Sequence, residues 1–220
     1  MSLEPKLEVL SAAQRTLWLE LASVPDTFVL YSGTGLALRL GHRASVDFDF
    51  FSSQPFKPAE LFPNIDFLED AEVLQTRDNT LTVSIDRGDP VKASFFGDIN
   101  FGRVGHPDMT TDGTIAVASL LDLFGTKLKV LLERVEAKDY LDLEALLRSG
   151  LTLAEGLGAA TALFGNQFPP MEAVKALSYF DEGDARTLPS ETKKYLTEQT
   201  TLWDFGAADI EIAARELHNP

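Results

Sequence analysis

The pattern of apolar residues changes once along the chain, near Gly113, and this change limits the folds that the sequence can adopt. Before it, short β-rich runs bounded by Gly, Pro, Asn and Asp alternate with helical runs, as in a sheet that packs against helices. After it, apolar residues recur at helical spacing almost to the last residue. The sequence therefore predicts an α+β protein, with a small mixed β-sheet core at residues 1–112 and an α-helical subdomain at 113–220.

The predicted elements of the first part are strands at 28–31, 46–51, 72–75, 81–85 and 91–96, an N-terminal amphipathic helix at 7–22 and a short helix at 33–40. Short turn-rich spacers separate the last three strands, which predicts an antiparallel meander. In the second part, helices are predicted at 115–134, 139–147, 153–164, 171–180, 190–203 and 208–217.

Composition and charge exclude several kinds of site. The chain has no cysteine, and therefore no disulfide, thiolate nucleophile or cysteine-ligated metal. A net charge of −15 argues against broad, charge-driven binding to nucleic acid, so a phosphate site must be local. The first ten residues lack the basic start and apolar run of a secretory signal, and no stretch reaches the roughly 18 apolar residues of a membrane span. We therefore expect a cytoplasmic protein that does not bind membranes.

A glycine-rich turn, Tyr31-Ser32-Gly33-Thr34-Gly35, lies between the first predicted strand and the second predicted helix. Glycine lets the backbone approach a phosphate closely, and the N-terminus of a helix offers unpaired N–H groups. The Thr34 hydroxyl can also donate to a phosphate oxygen. A tight turn with a threonine cap produces the same pattern, so the turn alone leaves a structural and a phosphate-binding interpretation open.

Two aspartates follow on the next predicted strand, where alternation places Asp47 and Asp49 on one face and Phe48 and Phe50 on the other. Two carboxylates this close repel each other unless a cation lies between them. Such oxygen pairs hold Mg²⁺ for phosphoryl or nucleotidyl transfer. A solvated face of an edge strand is the alternative, but the flanking aromatic residues favour a central strand.

Together these patterns resemble the AbiEii/AbiGii-type nucleotidyltransferase toxin family of the DNA polymerase β-like superfamily. The resemblance rests on residues 32–43, on Ser45 and on residues 47–51, where glycine, a small hydroxyl residue, a helix and Asp-x-Asp follow in the family's order. It implies a nucleotidyltransferase-like sheet, Mg²⁺ or Mn²⁺, a nucleoside triphosphate (NTP) as substrate, and a toxin-antitoxin or phage-defence role with an antitoxin as partner. It also implies a metal site at Asp47 and Asp49, and nucleotide contacts from Ser32, Gly33, Thr34 and Arg43.

A second block extends the resemblance, because residues 124–143 are similar to the family's helix with a lysine, an arginine and a KDxxD segment. On a continuous helix Lys127, Arg134 and Lys138 share one face, since the three are separated by seven and then four positions. This basic stripe suits a triphosphate or the phosphate of an acceptor, while a solvated helix face is the alternative. Asp139 and Asp142 either hold the basic side chains in place or start the next helix.

One departure from the superfamily concerns the third metal-binding carboxylate that a neighbouring strand usually adds. The expected strand, 91–96, has no acid, and Asp86 and Asp98 flank it. The leading hypothesis is an enzyme that transfers a nucleotidyl group to an acceptor hydroxyl of RNA or protein. Its catalytic set is Asp47, Asp49, Lys127, Asp139 and Asp142, and its nucleotide contacts include Arg134 and Lys138. The alternatives are a nucleotide-binding or partner-binding module without turnover and a scaffold whose helical half docks a partner protein.

Overall fold

The computed structural model describes residues 2–219 and divides them into two compact units, residues 2–119 with 213–219, and residues 120–212. Within this described part there are eight β-strands, which form one mixed sheet, and seven α-helices. The predicted α+β class, a mixed sheet followed by a helical part, is confirmed. No helix in residues 2–219 combines the length and the apolar character needed to cross a membrane.

The sheet belongs to the first unit. Its strands are β1 (Ser2–Leu3), β2 (Val29–Leu30), β3 (Asp47–Phe51), β4 (Glu72–Arg77), β5 (Thr80–Asp86), β6 (Pro90–Phe96), β7 (Asp108–Thr110) and β8 (Ala116–Val117), in the order β1-β7-β8-β2-β3-β6-β5-β4. The five predicted strands correspond to β2–β6, and β4, β5 and β6 form the predicted antiparallel meander. β3 pairs antiparallel with β2 and parallel with β6, so the strand that carries the two aspartates is central, as the sequence predicts.

The first unit contains two α-helices, α1 (Ala12–Trp18) and α2 (Ser32–Leu40). The predicted helix 7–22 is wrong as a single element, because a capping box at Ser11 starts a new helix inside it. The Ser11 hydroxyl accepts the Gln14 N–H at 3.2 Å, and the Gln14 side chain accepts the Ser11 N–H at 2.9 Å. Short 3₁₀ turns at Leu7–Val9 and Leu19–Ser23 flank α1.

Strand alternation gives the sheet one apolar face and one polar face around β3. Phe48 and Phe50 are fully buried on the apolar face, where the Phe50 ring stacks on Phe95 with their centroids 5.2 Å apart. Asp47 and Asp49 point to the other face. The hydrophobic core therefore fixes the strand, and the same alternation directs both carboxylates away from the core.

The second unit contains α3 (Leu120–Leu131), α4 (Ala137–Arg148), α5 (Leu153–Phe164), α6 (Pro170–Leu177) and α7 (Ser190–Leu202). The predicted helix 115–134 is wrong at both ends, since Val117 belongs to β8 and α3 stops at Leu131. α3 and α5 pack closely because Gly156 lies against Phe124, and a Cβ atom at Gly156 would be 2.6 Å from that ring.

The predicted helix 208–217 is also wrong, because tertiary partners take up the backbone groups that a helix would pair internally. The Ala208 N–H donates to the Ala154 carbonyl at 2.9 Å. In the first unit, Ala214 forms a β-bridge with Arg103, whose buried guanidinium donates to the Glu216 carbonyl at 2.9 Å. The segment therefore has helical spacing of apolar residues without helical structure.

Candidate functional site

The two aspartates of β3 face polar residues of the neighbouring strand β6. Asp47 is the register partner of Lys92, and Asp49 is the register partner of Ser94. The Lys92 ammonium lies 2.9 Å from Asp47 Oδ2, and both side chains are about half-exposed, at 43% and 37%. One aspartate therefore has a cation beside it, and the other has a hydroxyl.

The turn from β2 into α2 brings the glycine-rich segment against β3. Ser32 has a φ of 60°, which is in the left-handed region that a serine seldom adopts, and this sharp turn starts α2. The Ser32 hydroxyl forms a hydrogen bond with the Asp49 carboxylate. The Tyr31 N–H donates to the Asp49 carbonyl at 2.9 Å. The first residues of α2 and the acidic end of β3 consequently form one continuous polar surface.

Thr34 is buried, and its hydroxyl holds β3 and α2 together. The hydroxyl donates to the Asp47 carbonyl and lies 2.8 Å from the Ser45 hydroxyl. This hydroxyl is thus occupied by protein groups, whereas the expectation from the sequence is that it donates to a phosphate.

Gly33 lies beneath the side chain of Arg43. A Cβ atom at Gly33 would be 2.6 Å from Arg43 Nη2 and 3.2 Å from the Ser45 hydroxyl, so only glycine fits here without movement. Arg43 also donates to the Ala44 carbonyl at 2.9 Å. Two predicted nucleotide contacts, Gly33 and Arg43, therefore adjoin at the start of α2.

The charge on Asp49 is disfavoured in the folded protein. Burial raises the pKa of Asp49, and the nearby Asp47 carboxylate raises it further. Hydrogen bonds from Ser32 and Ser94 and the charge of Lys92 act in the opposite direction without cancelling these effects. Two adjacent carboxylates, one of them half-buried, form a site that a cation would stabilise.

A third carboxylate does not join Asp47 and Asp49 in the part of the chain that the structure describes, which contains no cluster of three or more His, Asp or Glu able to hold a metal ion. β6 pairs with both of its neighbours without a bulge. Asp86 lies opposite Pro90 at the β5–β6 hairpin, and Asp98 follows the far end of β6. Neither residue is therefore in register with the pair on β3.

The predicted basic residues lie in the second unit, where Lys127 is buried. The Lys127 ammonium is 2.8 Å from Asp139 Oδ1 and 2.5 Å from Asp142 Oδ2, and both carboxylates have no solvent exposure. Arg134 Nε and Nη2 donate to the Asp139 carboxylate at 2.8 Å and 3.2 Å. Burial acts to raise the pKa of Asp139, but Arg134 and Lys127 outweigh this and keep that pKa below its ordinary value.

The prediction of a continuous helix through Lys127, Arg134 and Lys138 is wrong. α3 ends at Leu131 and α4 begins at Ala137, so Arg134 lies in the connection and Lys138 on the next helix. The three residues share no helix face. Arg134 instead reaches back to Asp139, while the Lys138 ammonium is exposed and lies 2.7 Å from Glu136 Oε2.

The structure therefore groups the predicted residues into two sets. Ser32, Gly33, Thr34, Arg43, Asp47 and Asp49 adjoin in the first unit, and Lys127, Arg134, Asp139 and Asp142 form one ion-pair network in the second. Sequence reasoning missed Lys92 and Ser94. Their alternation along the strand 91–96 marks a polar face, but only the pairing of β3 with β6 identifies what they face.

Comparisons with known proteins identify the family and the fold of the chain. The family described as "Nucleotidyl transferase AbiEii toxin, Type IV TA system" matches residues 17–215. A curated relative, the uncharacterized protein aq_aa25 of Aquifex aeolicus, is 33% identical over 125 residues, which are 56% of this chain and 59% of the relative. The chain thus spans less than two thirds of that relative's length.

Two solved structures have the same fold. A protein from H. pylori, provisionally named a nucleotidyltransferase, has a TM-score of 0.56 at 17% identity. The match covers 86% of this chain and 91% of the H. pylori chain. MenT4, a nucleotidyltransferase toxin from Mycobacterium tuberculosis, has a TM-score of 0.57 at 18% identity. The match covers 88% of this chain and 83% of the MenT4 chain. Because the family match spans nearly the whole sequence, the chain belongs to the AbiEii family of nucleotidyl transferase toxins, a family of enzymes.

Proposed function

We propose that the protein is a Mg²⁺-dependent nucleotidyltransferase that moves a nucleoside monophosphate from an NTP to a hydroxyl of RNA or of a protein. The acceptor oxygen forms a bond to the α-phosphorus, the bond from that phosphorus to pyrophosphate breaks, and the acceptor proton passes to solvent. One observation carries the proposal: Asp47 and Asp49 adjoin the start of α2. Carboxylates for a cation and N–H groups for a phosphate therefore lie side by side.

Asp47 and Asp49 are the residues that would hold the metal ion. Mg²⁺ is commonly bound by one or two protein carboxylates, with water and substrate phosphates as its other ligands. The raised pKa of Asp49 supports this fit, because a cation would relieve the desolvation and repulsion that cause it. When bound, Mg²⁺ or Mn²⁺ would neutralise charge that develops on the phosphates.

The start of α2 would bind the phosphates of the NTP. Its unpaired N–H groups favour an anion, Gly33 lets the backbone approach, and Arg43 adds donors beside it. Ser32 would contribute through its backbone, because its hydroxyl already forms a hydrogen bond with Asp49. We assign Thr34 a different task from the one that the sequence suggests. Its buried hydroxyl keeps the Asp47 backbone next to α2, which positions the carboxylate.

In the second unit, we assign Arg134 and Lys138 to a phosphate of the acceptor, because among the three predicted basic residues they are the exposed ones, at 44% and 51%. Lys127 is enclosed by the unexposed Asp139 and Asp142, so we assign these three residues a positioning role that holds α3 and α4 together rather than a contact with phosphate. Lys138→Gln tests the phosphate assignment of Lys138, because a phosphate contact predicts a lower kcat/KM with an unchanged free energy of unfolding.

Family membership supports a biological role as the toxin of a toxin-antitoxin or phage-defence pair, with an antitoxin as the opposing partner. A toxin that consumes NTP and modifies RNA or protein acts in the cytoplasm, where we place this protein. Induced expression is expected to arrest growth in a bacterial host. Growth that continues with intact, soluble protein would contradict the toxin role.

The proposed activity is tested by incubating the protein with each α-labelled NTP, Mg²⁺ and either total RNA or total protein. We expect one acceptor class to become labelled by the wild type. Asp49→Asn is expected to transfer label about 10²–10³-fold more slowly, while Asp209→Asn, the same change at an exposed position of the second unit, transfers as much as the wild type. Equal labelling by the wild type and Asp49→Asn would contradict the proposal.

A second candidate function is a nucleotide-binding module that does not turn over. The absence of a third acid in register with Asp47 and Asp49 favours it. This candidate predicts that calorimetry detects binding of an NTP and that no labelled acceptor is formed. Any label transfer that depends on Asp49 would exclude it.

A further inference from the structure

The strand beside the two aspartates carries a lysine where a third metal-binding carboxylate would be expected. Lys92 lies in register with Asp47, and Ser94 lies in register with Asp49. Their side chains point to the same face as the two carboxylates, because β3 and β6 pair without a register shift. The neighbouring strand therefore contributes a positive charge and a hydroxyl to the site.

Lys92 is held at the carboxylates, although half of its side chain is exposed. An exposed strand lysine usually extends into water, because it has a long side chain with many rotamers. Here its ammonium is 2.9 Å from Asp47 Oδ2, and its charge also acts on Asp49. The ammonium is a compact point charge with three donors, so two of them are left for other oxygen atoms.

The charges of these side chains determine how many divalent cations can bind. Two carboxylates and one ammonium have a net charge of −1, whereas three carboxylates have a net charge of −3. A site with two metal ions needs enough anionic oxygens to offset four positive charges and to bridge the ions. Asp47 and Asp49 together suffice for one ion that shares its remaining ligands with a triphosphate and water.

We propose that the Lys92 ammonium takes the place of a second metal ion in this site. Asp47 and Asp49 then bind one divalent cation, where a three-carboxylate site binds two. The inference rests on the proposed function, because the triphosphate completes the coordination of that ion. Lys92 is then a positioning residue that orients Asp47 and adds a fixed charge next to the phosphates.

The experiment counts the Mn²⁺ ions bound by the intact protein with a saturating, non-hydrolysable NTP analogue, by electron paramagnetic resonance of free and bound Mn²⁺. We expect one ion per wild-type protein and two for Lys92→Glu, which restores a third carboxylate. Arg77→Glu is the matched control, since Arg77 is exposed on the same face at the edge strand β4, and it should leave the count at one.

A second variant keeps the test decisive if Lys92→Glu does not fold. Lys92→Gln removes the charge without adding a ligand. Relative to the wild type, Mn²⁺ should bind roughly fivefold more tightly and the analogue roughly fivefold more weakly, the size of a half-exposed charge interaction. A purely structural lysine would not move these two affinities in opposite directions, so unchanged affinities would overturn the inference.

The outcomes separate this inference from the proposed function. Two Mn²⁺ ions in the wild type would overturn the inference and leave the nucleotidyltransferase proposal intact. No Mn²⁺ bound in the presence of the analogue would overturn both.

Discussion

The protein contains two clusters of acidic and basic side chains that differ in how completely their charges are satisfied. Lys127 in the second unit lies between Asp139 and Asp142, all three are buried, and Arg134 adds two more donors. Around Asp47 and Asp49 in the first unit, the side chains are partly exposed and the acids outnumber the paired cation. The Lys127 cluster is suited to stabilising the fold, and the cluster of Asp47 and Asp49 is suited to binding a further cation.

The largest expected effect comes from breaking the buried cluster. Lys127→Met removes the cation shared by two fully buried carboxylates, and we expect the free energy of unfolding to fall by about 3–5 kcal/mol. Urea denaturation measures this loss. Lys129→Met is the matched control on the same helix, because its ion pair with the exposed Glu133 is worth less than about 1 kcal/mol. Equal losses in the two variants would show that burial does not strengthen the ion pairs of Lys127.

Asp49→Asn is expected to act on turnover without weakening the fold. Loss of one charge at the site should lower the rate of nucleotidyl transfer by about 10²–10³-fold. The free energy of unfolding should stay the same or rise at neutral pH, since burial and Asp47 disfavour the charged form of Asp49. Single-turnover kinetics measures the transfer rate, and urea denaturation measures the free energy of unfolding. A large loss of stability in Asp49→Asn would show that Asp49, like Lys127, stabilises the fold.

Alanine substitutions at Gly33 and Gly156 test the same difference between a binding site and a structural contact, with smaller expected effects. Gly33→Ala meets the flexible end of Arg43, so the fold should tolerate it, while phosphate access narrows and NTP affinity falls by about tenfold. Gly156→Ala meets the rigid ring of Phe124 and should lower the free energy of unfolding by about 1–3 kcal/mol. Calorimetry with an NTP analogue and thermal unfolding measure the two effects. If Gly156→Ala weakened NTP binding and Gly33→Ala did not, the assignment of Gly33 to NTP binding and of Gly156 to packing would be wrong.

The smallest expected effect is a difference in pH dependence. Because the pKa of Asp49 is raised by burial and by Asp47, wild-type stability relative to Asp49→Asn should fall as pH rises from about 3.9, the unfolded value, through the folded pKa. Asp139 has a lowered pKa, so its contribution is present above about 3.9 and is lost as pH falls toward the folded pKa. Urea denaturation of the wild type, Asp49→Asn and Asp139→Asn between about pH 3 and pH 7 should give slopes of opposite sign.

Local patterns were the most predictable part of the fold and of the site. The strand with Asp47 and Asp49 follows from strict alternation, and the short helix after β2 follows from the glycine turn and the apolar residues beyond it. Both depend on residues within one turn or one strand. The helix breaks were less predictable, because the capping box at Ser11 lies within a continuous apolar pattern.

Non-local contacts explain the rest. Residues 208–217 have helical spacing, yet their backbone groups pair with residues far away in sequence, including Arg103. The position of Lys92 beside Asp47 could not be predicted, because the two residues are 45 positions apart in the chain although their strands are adjacent in the sheet. Arg134 was placed on a helix face that does not exist, since α3 ends before it.

The sequence by itself determined the fold class, the family and the pair of aspartates on one strand face. These depend on the order of short motifs and on the two-residue repeat of a strand, which are properties of contiguous residues. The tertiary structure decided which residues face the pair, namely Ser32, Lys92 and Ser94, and that Lys127 is enclosed by Asp139 and Asp142. Burial and charge are set by neighbours that folding brings together, so the pKa of Asp49 and the ion pairing of Lys127 emerge only in the folded protein.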